Sequence, residues 1–362
     1  MTKPNFPLNA WYAAAWDAEM KHALLPRTIC NRKVVMFRTA AGGQVVALED
    51  LCPHRRLPLS MGTLQGDTLG CGRGGLRFDA TGRCVSAPPG ESIPAALAVR
   101  SFPAVERHRF VWLWMGDPAL ADPALVPDLH WNQDPGWAGD GSTIHGLCDY
   151  RLVIDNLMDL THETFIHGSS IGNDAVAEAP FDVTHGERIA KVSRWMIDIE
   201  PPPFLAQLLE AAQGITQPCR VDRWQNIFFQ APNTVAIDVG VAPTGTGAPQ
   251  GDRSKGFSMW VINTITPETD RTCHYFWANA RDFRLGDQAI TTAVRNSVTN
   301  VFREDELIVA AQQQAIDDHP DHIFYNLNID AGAMWARRLI DRMIEAELPP
   351  PQRAGTPLPE AA

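Results

Sequence analysis

The stretch 116–128 (GDPALADPALVPD) contains three prolines and three aspartates, so it cannot form one regular helix or strand. The residues before it read as short β-runs separated by turns, whereas strand-like and helical patterns are mixed after it. With 362 residues, the chain is long enough for two domains with separate cores. We therefore predict an α+β protein with an all-β domain at 1–120, a mixed domain at 121–348 and a disordered tail at 349–362.

Local patterns predict strands in both halves and helices in the second half. Residues that favour β-structure predict strands at 33–38, 44–48, 110–114, 233–241 and 256–266. Helical spacing is found at 149–162, 287–316 and 330–345. The two domains are thus expected to differ in class, with the helices confined to the second.

Charge and apolar patterning limit the possible partners. The formal net charge is -11 and there is no stripe rich in Lys or Arg, so we expect neither a nucleic-acid partner nor an anionic membrane surface. No apolar run approaches the roughly 18–20 residues that span a bilayer. Residues 1–16 lack the basic-then-apolar order of a secretion signal. The seven cysteines are scattered, which favours buried thiols or metal ligands over disulfides. We expect a cytoplasmic protein.

The first motif that carries chemistry lies in the all-β half. Cys52-Pro53-His54 is followed, sixteen residues later, by Cys71-Gly72-Arg73-Gly74. A Rieske cluster holds one iron by two thiolates and the other by two imidazoles, from the patterns C-x-H and C-x-x-H. The first pair is complete here, but Gly74 stands where the second histidine is required, and glycine has no donor atom.

Other readings of this motif remain open. An isolated C-x-H is as often a plain turn after a strand. Cys84, thirteen residues beyond Cys71, is a candidate replacement ligand, and a water, a buffer molecule or another subunit could also complete the cluster weakly.

The second motif is the segment 156–167 (NLMDLTHETFIH), of the form N-x-x-D-x-x-H-x-x-x-x-H. Asp159 and His162 are three residues apart and would share a helix face. His162 and His167 are five apart, roughly 140° around a helix, so they converge on one metal only if the helix ends between them. Gly168 suits such an ending. The spacing differs from the zinc-protease pattern H-E-x-x-H, although a zinc hydrolase or two structural histidines remain alternatives.

Two imidazoles need a later carboxylate to complete a facial iron site. The candidate is Asp305, in the segment 302–307 (FREDEL) on a predicted long helix. Glu304 and Glu306 compete for this assignment, and an acidic cluster on a helix is more often a solvated face.

Several segments carry a family resemblance that spans nearly the whole chain: 9–12 (NAWY), 50–55 (DLCPHR), 149–152 (DYRL), 155–163 and 328–332 (NIDAG). They resemble Rieske non-haem iron oxygenases of the vanillate O-demethylase type and, more distantly, dicamba O-demethylase. The resemblance implies an N-terminal Rieske domain of antiparallel sheets. It also implies a helix-grip (START-like) catalytic domain with a curved antiparallel sheet, and a head-to-tail homotrimer.

The resemblance also implies roles for particular residues. His162, His167 and Asp305 would bind Fe(II), with Asn156 close by. Cys52, His54 and Cys71 would bind the [2Fe–2S] cluster, whose missing second histidine belongs at Gly74. Asp159 would bridge the two metal centres across the subunit interface by bonding to that histidine.

The implied reaction is O-demethylation of a methoxybenzoate. Dioxygen and two electrons hydroxylate the methyl group, which leaves as formaldehyde, so that vanillate gives protocatechuate. The electrons would come from NADH through a separate flavin and iron–sulfur reductase, since the chain lacks a dinucleotide fingerprint. Asn263, Arg220 and Arg223 are polar candidates for binding the substrate carboxylate. Two rivals remain: an oxygenase for another aromatic acid, and a cluster-deficient homologue that binds or assembles without turnover.

Overall fold

The computed structural model describes residues 4–40, 43–168 and 171–349. It has an all-β N-terminal part and a C-terminal part that combines one large antiparallel sheet with helices. The predicted α+β class is therefore confirmed. The predicted disordered tail lies outside the described residues, apart from Pro349. Within the described ranges, no helix is both long and apolar enough to cross a bilayer.

The N-terminal part consists of three small antiparallel sheets, ordered β1-β10-β9, β2-β3-β4 and β5-β6-β7-β8. Two cysteine loops adjoin the third sheet: the loop with Cys52 lies between β4 and β5, and the loop with Cys71 lies between β6 and β7. The strands are β1 Trp11–Trp16, β2 Leu25–Ile29, β3 Arg32–Arg38, β4 Val45–Glu49, β5 Thr63–Gln65, β6 Thr68–Gly70, β7 Arg77–Phe78, β8 Cys84–Ser86, β9 Ala104–Arg107 and β10 Phe110–Trp114.

The C-terminal part is built on a seven-stranded antiparallel sheet in the order β11-β17-β16-β15-β14-β13-β12. Only two of these strands, β15 and β16, were expected from sequence, each shifted by one residue at its start. The strands are β11 Ala138–Gly146, β12 Phe181–His185, β13 Ile189–Ile199, β14 Val221–Gln230, β15 Thr234–Pro243, β16 Phe257–Pro267 and β17 Cys273–Arg281.

Six α-helices belong to this second part. The side chain of Asp149 caps the first by accepting from the Arg151 N–H, and Asp287 caps the longest by accepting from two N–H groups. The helices are α1 Tyr150–Met158, α2 Glu163–Ile166, α3 Asp174–Glu178, α4 Pro203–Gln213, α5 Gln288–Asp318 and α6 Ala331–Glu347. The helix expected at 149–162 ends early, because Asp159 adopts an extended backbone conformation (φ -127°, ψ 97°).

The central strands of the large sheet, β14 to β17, are buried on both faces, and their residues alternate between the two faces. Ala236, Phe276 and Ala278 pack with the tryptophans and Phe110 of the N-terminal part. Their neighbours Ile237 and Trp277 face the opposite way, into the core shared with α1 and α5. The cavity that concerns function lies on this helix-covered face.

Candidate metal centres

Three side chains converge between the sheet and the helices: His162, His167 and Asp305. The Nε2 atoms of His162 and His167 lie 3.6 Å and 3.1 Å from Asp305 Oδ1. One ligand atom from each of the three lies within 4.8 Å of the others, and within the described ranges no second group of His, Cys, Asp or Glu meets that criterion. Two imidazoles and a carboxylate on one side of a metal are the facial set of non-haem iron oxygenases, so these residues fit Fe(II).

The local backbone explains how two histidines five residues apart converge. α1 ends at Met158, and His162 lies at the end of the short 3-10 turn Leu160–His162. α2 ends at Ile166, and His167 leaves the helical region (φ -111°, ψ 23°). The helix thus ends between the two histidines, as the spacing requires.

Each imidazole is held by its other ring nitrogen. His162 Nδ1 lies 2.6 Å from the backbone oxygen of Asp159, and His167 Nδ1 lies 2.6 Å from Glu304 Oε2. With the proton on each Nδ1, each Nε2 presents its lone pair on the side of Asp305, as a metal ligand must. The expected contact between Asp159 and His162 therefore exists, but it uses the backbone of Asp159 rather than its carboxylate.

Two acidic residues of α5 contact the histidines in different ways, which the sequence did not reveal. Asp305 is buried and faces the histidines, and Glu304 binds His167 instead of lying on a purely solvated face. Burial alone would lower the pKa of His167, but hydrogen bonds and charge from Asp305 and Glu304 raise it. Glu304 was missed because sequence alone does not show which acid faces a residue 137 positions earlier.

A largely apolar cavity adjoins the triad. Its polar wall residues, besides the three candidate ligands, are Glu163, Arg223 and Ser297. The apolar wall comes from α1, α4, α5 and the helix-covered face of the sheet: Leu157, Leu160, Ile171, Phe204, Leu205, Ile237, Val239, Met259, Val261, Val298, Val301 and Phe302. Such a wall fits an aromatic ring beside the metal.

The three predicted substrate-binding residues lie in different places. Arg223 lines the cavity, but it is paired with Glu163 at 2.8 Å. Asn263 is fully buried and hydrogen-bonded to the Tyr275 hydroxyl and the Val235 carbonyl. Arg220 is exposed and paired with Asp198. Neither Asn263 nor Arg220 is among the described residues that line the cavity.

Asp159 and Asn156 flank the triad. The Asp159 carboxylate caps the 3-10 turn by accepting from the Thr161 N–H at 2.9 Å. Buried Arg194 donates to Thr161 Oγ1, and burial lowers its pKa although Asp159 and Glu163 oppose the shift. Asn156 is half-buried and shares a small cavity with Asp305.

The two cysteine loops of the N-terminal part have matching backbones. The N–H of Cys52 donates to the Leu57 carbonyl, and that of Cys71 donates to the Leu76 carbonyl, in both cases five residues on. Four residues after each cysteine the backbone is left-handed, at Arg56 (φ 58°) and Gly75 (φ 67°). Two equivalent loops on one sheet are suited to share one cluster.

The two thiols lie close enough to interact. Burial raises the pKa of Cys52, and its hydrogen bond with Cys71 adds to this. Burial also favours the neutral form of Cys71, but backbone N–H groups of Arg73 and Gly74, together with Cys52, lower its pKa. N–H groups directed at the sulfur atoms are what bound thiolates require.

Gly74 faces the imidazole of His54. A Cβ atom at position 74 would lie 3.0 Å from His54 Nδ1, so a side chain there would point at the first histidine of the motif. Cys84 lies on β8, and its thiol donates to the Ser86 carbonyl at 3.3 Å. The residues present therefore offer three of the four ligands that a Rieske cluster needs.

The fold and these two sites define a Rieske non-haem iron oxygenase. In comparisons with known families, residues 10–103 match the Rieske [2Fe-2S] domain, and residues 147–346 match the vanillate O-demethylase oxygenase C-terminal domain. The chain therefore belongs to the vanillate O-demethylase oxygenase family. It is a terminal oxygenase of the Rieske monooxygenase type, and proteins of this type use a [2Fe–2S] cluster and a mononuclear iron. Members of this class receive electrons from a separate reductase.

Individual relatives cover the chain nearly end to end. A vanillate O-demethylase oxygenase subunit from Pseudomonas sp. (strain ATCC 19151) is 45% identical, over 88% of this chain and 96% of its own. An iron-sulfur subunit of a toluene-4-sulfonate monooxygenase system from Comamonas testosteroni is 37% identical, over 94% and 98%. The crystal structure of dicamba monooxygenase bound to 3,6-dichlorosalicylic acid matches with TM-score 0.87 and 33% identity, over 94% and 98%.

Proposed function

We propose that the chain O-demethylates a methoxybenzoate such as vanillate, giving protocatechuate and formaldehyde. The observation that carries the proposal is the converging triad at the end of an apolar cavity. The relative named vanillate O-demethylase, 45% identical, supports this substrate class. Electrons would come from a separate NADH-dependent flavin and iron–sulfur reductase.

In this proposal His162, His167 and Asp305 hold the iron. Iron bound in this way supplies the activation of dioxygen. The protein contributes the remaining conditions: Glu304 and the Asp159 carbonyl hold the imidazoles at their angles, and the apolar wall orients the aromatic ring and keeps bulk water away.

We further propose that Asp159 links the site to a neighbouring subunit and that Asn156 supports the ligands. The chain would act as a homotrimer. Phe165, between the two histidines, is 78% exposed, and Leu307, two residues after Asp305, is 74% exposed. Apolar side chains so exposed beside a metal site are expected at an interface between copies. Sedimentation velocity on Phe165→Glu, with Leu120→Glu on a distant surface as the control, tests this assignment.

We place the boundary between the two domains near residue 120, with catalysis assigned to 121–348. The absence of a Lys/Arg-rich stripe at a net charge of -11 supports activity in the cytoplasm without a nucleic-acid or membrane partner. Expression of 1–120 and 121–348 as separate chains, followed by thermal unfolding, tests the boundary.

Gly74 favours a second candidate function. A chain with three of four cluster ligands keeps the fold, the cavity and the iron site, but it would hold its cluster weakly. It would then act chiefly as a binding or assembly subunit.

One experiment separates the candidates. Wild type and Gly74→His are each mixed with vanillate, NADH, dioxygen and a flavin and iron–sulfur reductase, and formaldehyde and protocatechuate are measured. Product from Gly74→His but not from wild type supports the binding or assembly subunit for the chain with Gly74. The demethylase proposal predicts both products in equal amounts and neither without dioxygen. If the variant binds vanillate and contains the cluster but forms no product, the demethylase proposal is wrong.

A further inference from the structure

The cavity contains one carboxylate that is not an assigned metal ligand. Glu163 is only 5% exposed, and its Oε2 accepts hydrogen bonds from Arg223 Nη2 at 2.8 Å and Gln225 Nε2 at 2.9 Å. The other oxygen, Oε1, has no hydrogen-bond partner among the described residues. The Arg223–Glu163–Gln225 contacts fix the carboxylate in place, so Oε1 is a preorganised acceptor in a wall that is otherwise mainly apolar.

The same contacts reduce the value of Arg223 as a receptor for a carboxylate. Its guanidinium is already paired with Glu163, and Nη1 donates to the Ile171 carbonyl at 2.9 Å. A substrate carboxylate placed on this arginine would lie next to the Glu163 carboxylate, and two like charges repel strongly in a site with little water. The cavity therefore disfavours an anion at this point and favours a neutral hydrogen-bond donor.

The acceptor lies in the same cavity as the candidate metal ligands. Glu163, His162, His167 and Asp305 all line it. In a demethylation the ring that carries the methoxy group occupies this cavity. The donor that suits Glu163 is therefore expected on that ring.

We infer that the site selects aryl methyl ethers whose ring carries a free hydroxyl, with Glu163 Oε1 accepting a hydrogen bond from the phenolic O–H. The inference rests on the proposed demethylase function and adds the recognition element. The hydroxyl, rather than the carboxylate, distinguishes the substrate from other aryl methyl ethers.

A ligand series on the full-length wild-type chain tests the inference by binding alone. Dissociation constants are measured by calorimetry for vanillate, 3-methoxybenzoate, 3,4-dimethoxybenzoate and 2-methoxyphenol. Loss or methylation of the hydroxyl should weaken binding about tenfold or more, as expected when a charged acceptor loses its donor. Removal of the carboxylate should weaken binding by less than about threefold, because Arg223, the arginine among the described wall residues, is already paired with Glu163.

Two variants locate the acceptor. In Glu163→Gln, the amide oxygen is expected to face Arg223 and Gln225, so the NH₂ group faces the cavity and the preference for a hydroxyl disappears or inverts. Ser297→Ala removes the hydroxyl-bearing side chain among the described wall residues and should leave the preference for a substrate hydroxyl unchanged. Thermal unfolding reports whether each variant is folded, and the wild-type series decides the question even if Glu163→Gln is not.

Each outcome has a distinct meaning. If 3-methoxybenzoate binds as tightly as vanillate, or if Ser297→Ala abolishes the preference, the role of Glu163 is overturned while the demethylase proposal stands. If none of the four ligands binds, both proposals fail. A preference for the hydroxyl that is lost only in Glu163→Gln supports the inference.

Discussion

The two metal sites of this chain are built in different ways. The candidate iron site joins a short segment, 162–167, to a residue far along the chain, Asp305, and the three side chains converge. The candidate cluster site uses two short loops with the same backbone path, yet the second loop has Gly74 at the place of the fourth ligand. The comparison shows that two loops can share a backbone path although only one of them carries both expected ligands.

The largest expected effect comes from giving the second cysteine loop a histidine, so that each loop carries one cysteine and one histidine. Gly74→His should raise substrate-dependent oxygen consumption with NADH and a reductase by at least roughly 100-fold, because even the loss of a residue that only supports a metal ligand can cost that much. His54 must move by a few tenths of an ångström to accept the new Cβ, and it is exposed and free to do so.

The control is Arg73→His, which adds an imidazole to the same loop one residue away. It should leave oxygen consumption at the wild-type level. Equal rates for wild type and Gly74→His would mean that position 74 is not where the cluster lacks its ligand.

The next effect concerns the iron site alone. Glu304→Ala should weaken Fe(II) binding roughly 30-fold, because His167 loses the carboxylate that fixes its ring. Glu304→Gln retains a hydrogen-bond acceptor, so its affinity for Fe(II) should lie between those of Glu304→Ala and wild type. Anaerobic equilibrium dialysis with Fe(II) measures the change in affinity. Glu306→Ala, which removes a neighbouring acidic side chain, is the control. If Glu306→Ala has the larger effect, the assignment on α5 is wrong.

A smaller effect should come from supplying the missing imidazole from solution. Added imidazole should increase the electron paramagnetic resonance signal of a reduced Rieske cluster several-fold in wild type, because position 74 has no side chain and His54 is exposed and can shift. Gly74→His should not respond. A response of equal size in both chains would show that imidazole acts elsewhere.

The smallest expected effect concerns stability and tests whether the two cysteine loops follow the same backbone path. Gly75→Ala should lower the free energy of unfolding by about 1 kcal/mol, because its φ of 67° disfavours a side chain. Gly74→Ala, without such a φ, should cost less. Urea unfolding of the two variants measures both values, and a larger loss for Gly74→Ala would contradict the description of the loops.

The sequence predicted the fold class and both ligand motifs because metal ligands require fixed residue types at fixed spacing. It could not show that Asp159 ends α1, because capping depends on a local choice between helix and turn. It also could not show that Arg223 is paired with Glu163, or that Asn263 is bonded to Tyr275, since those partners are brought together only by the sheet. Strands β14 and β17 were missed because both of their faces are covered, which weakens the alternating pattern.

The most direct test is the content of iron and acid-labile sulfide in freshly purified wild-type protein kept from oxygen. The comparison of the two sites predicts about one iron and little sulfide per chain, rising to about three irons and two sulfides in Gly74→His. About three irons and two sulfides in wild type would contradict it, because some other group would then complete the cluster despite Gly74.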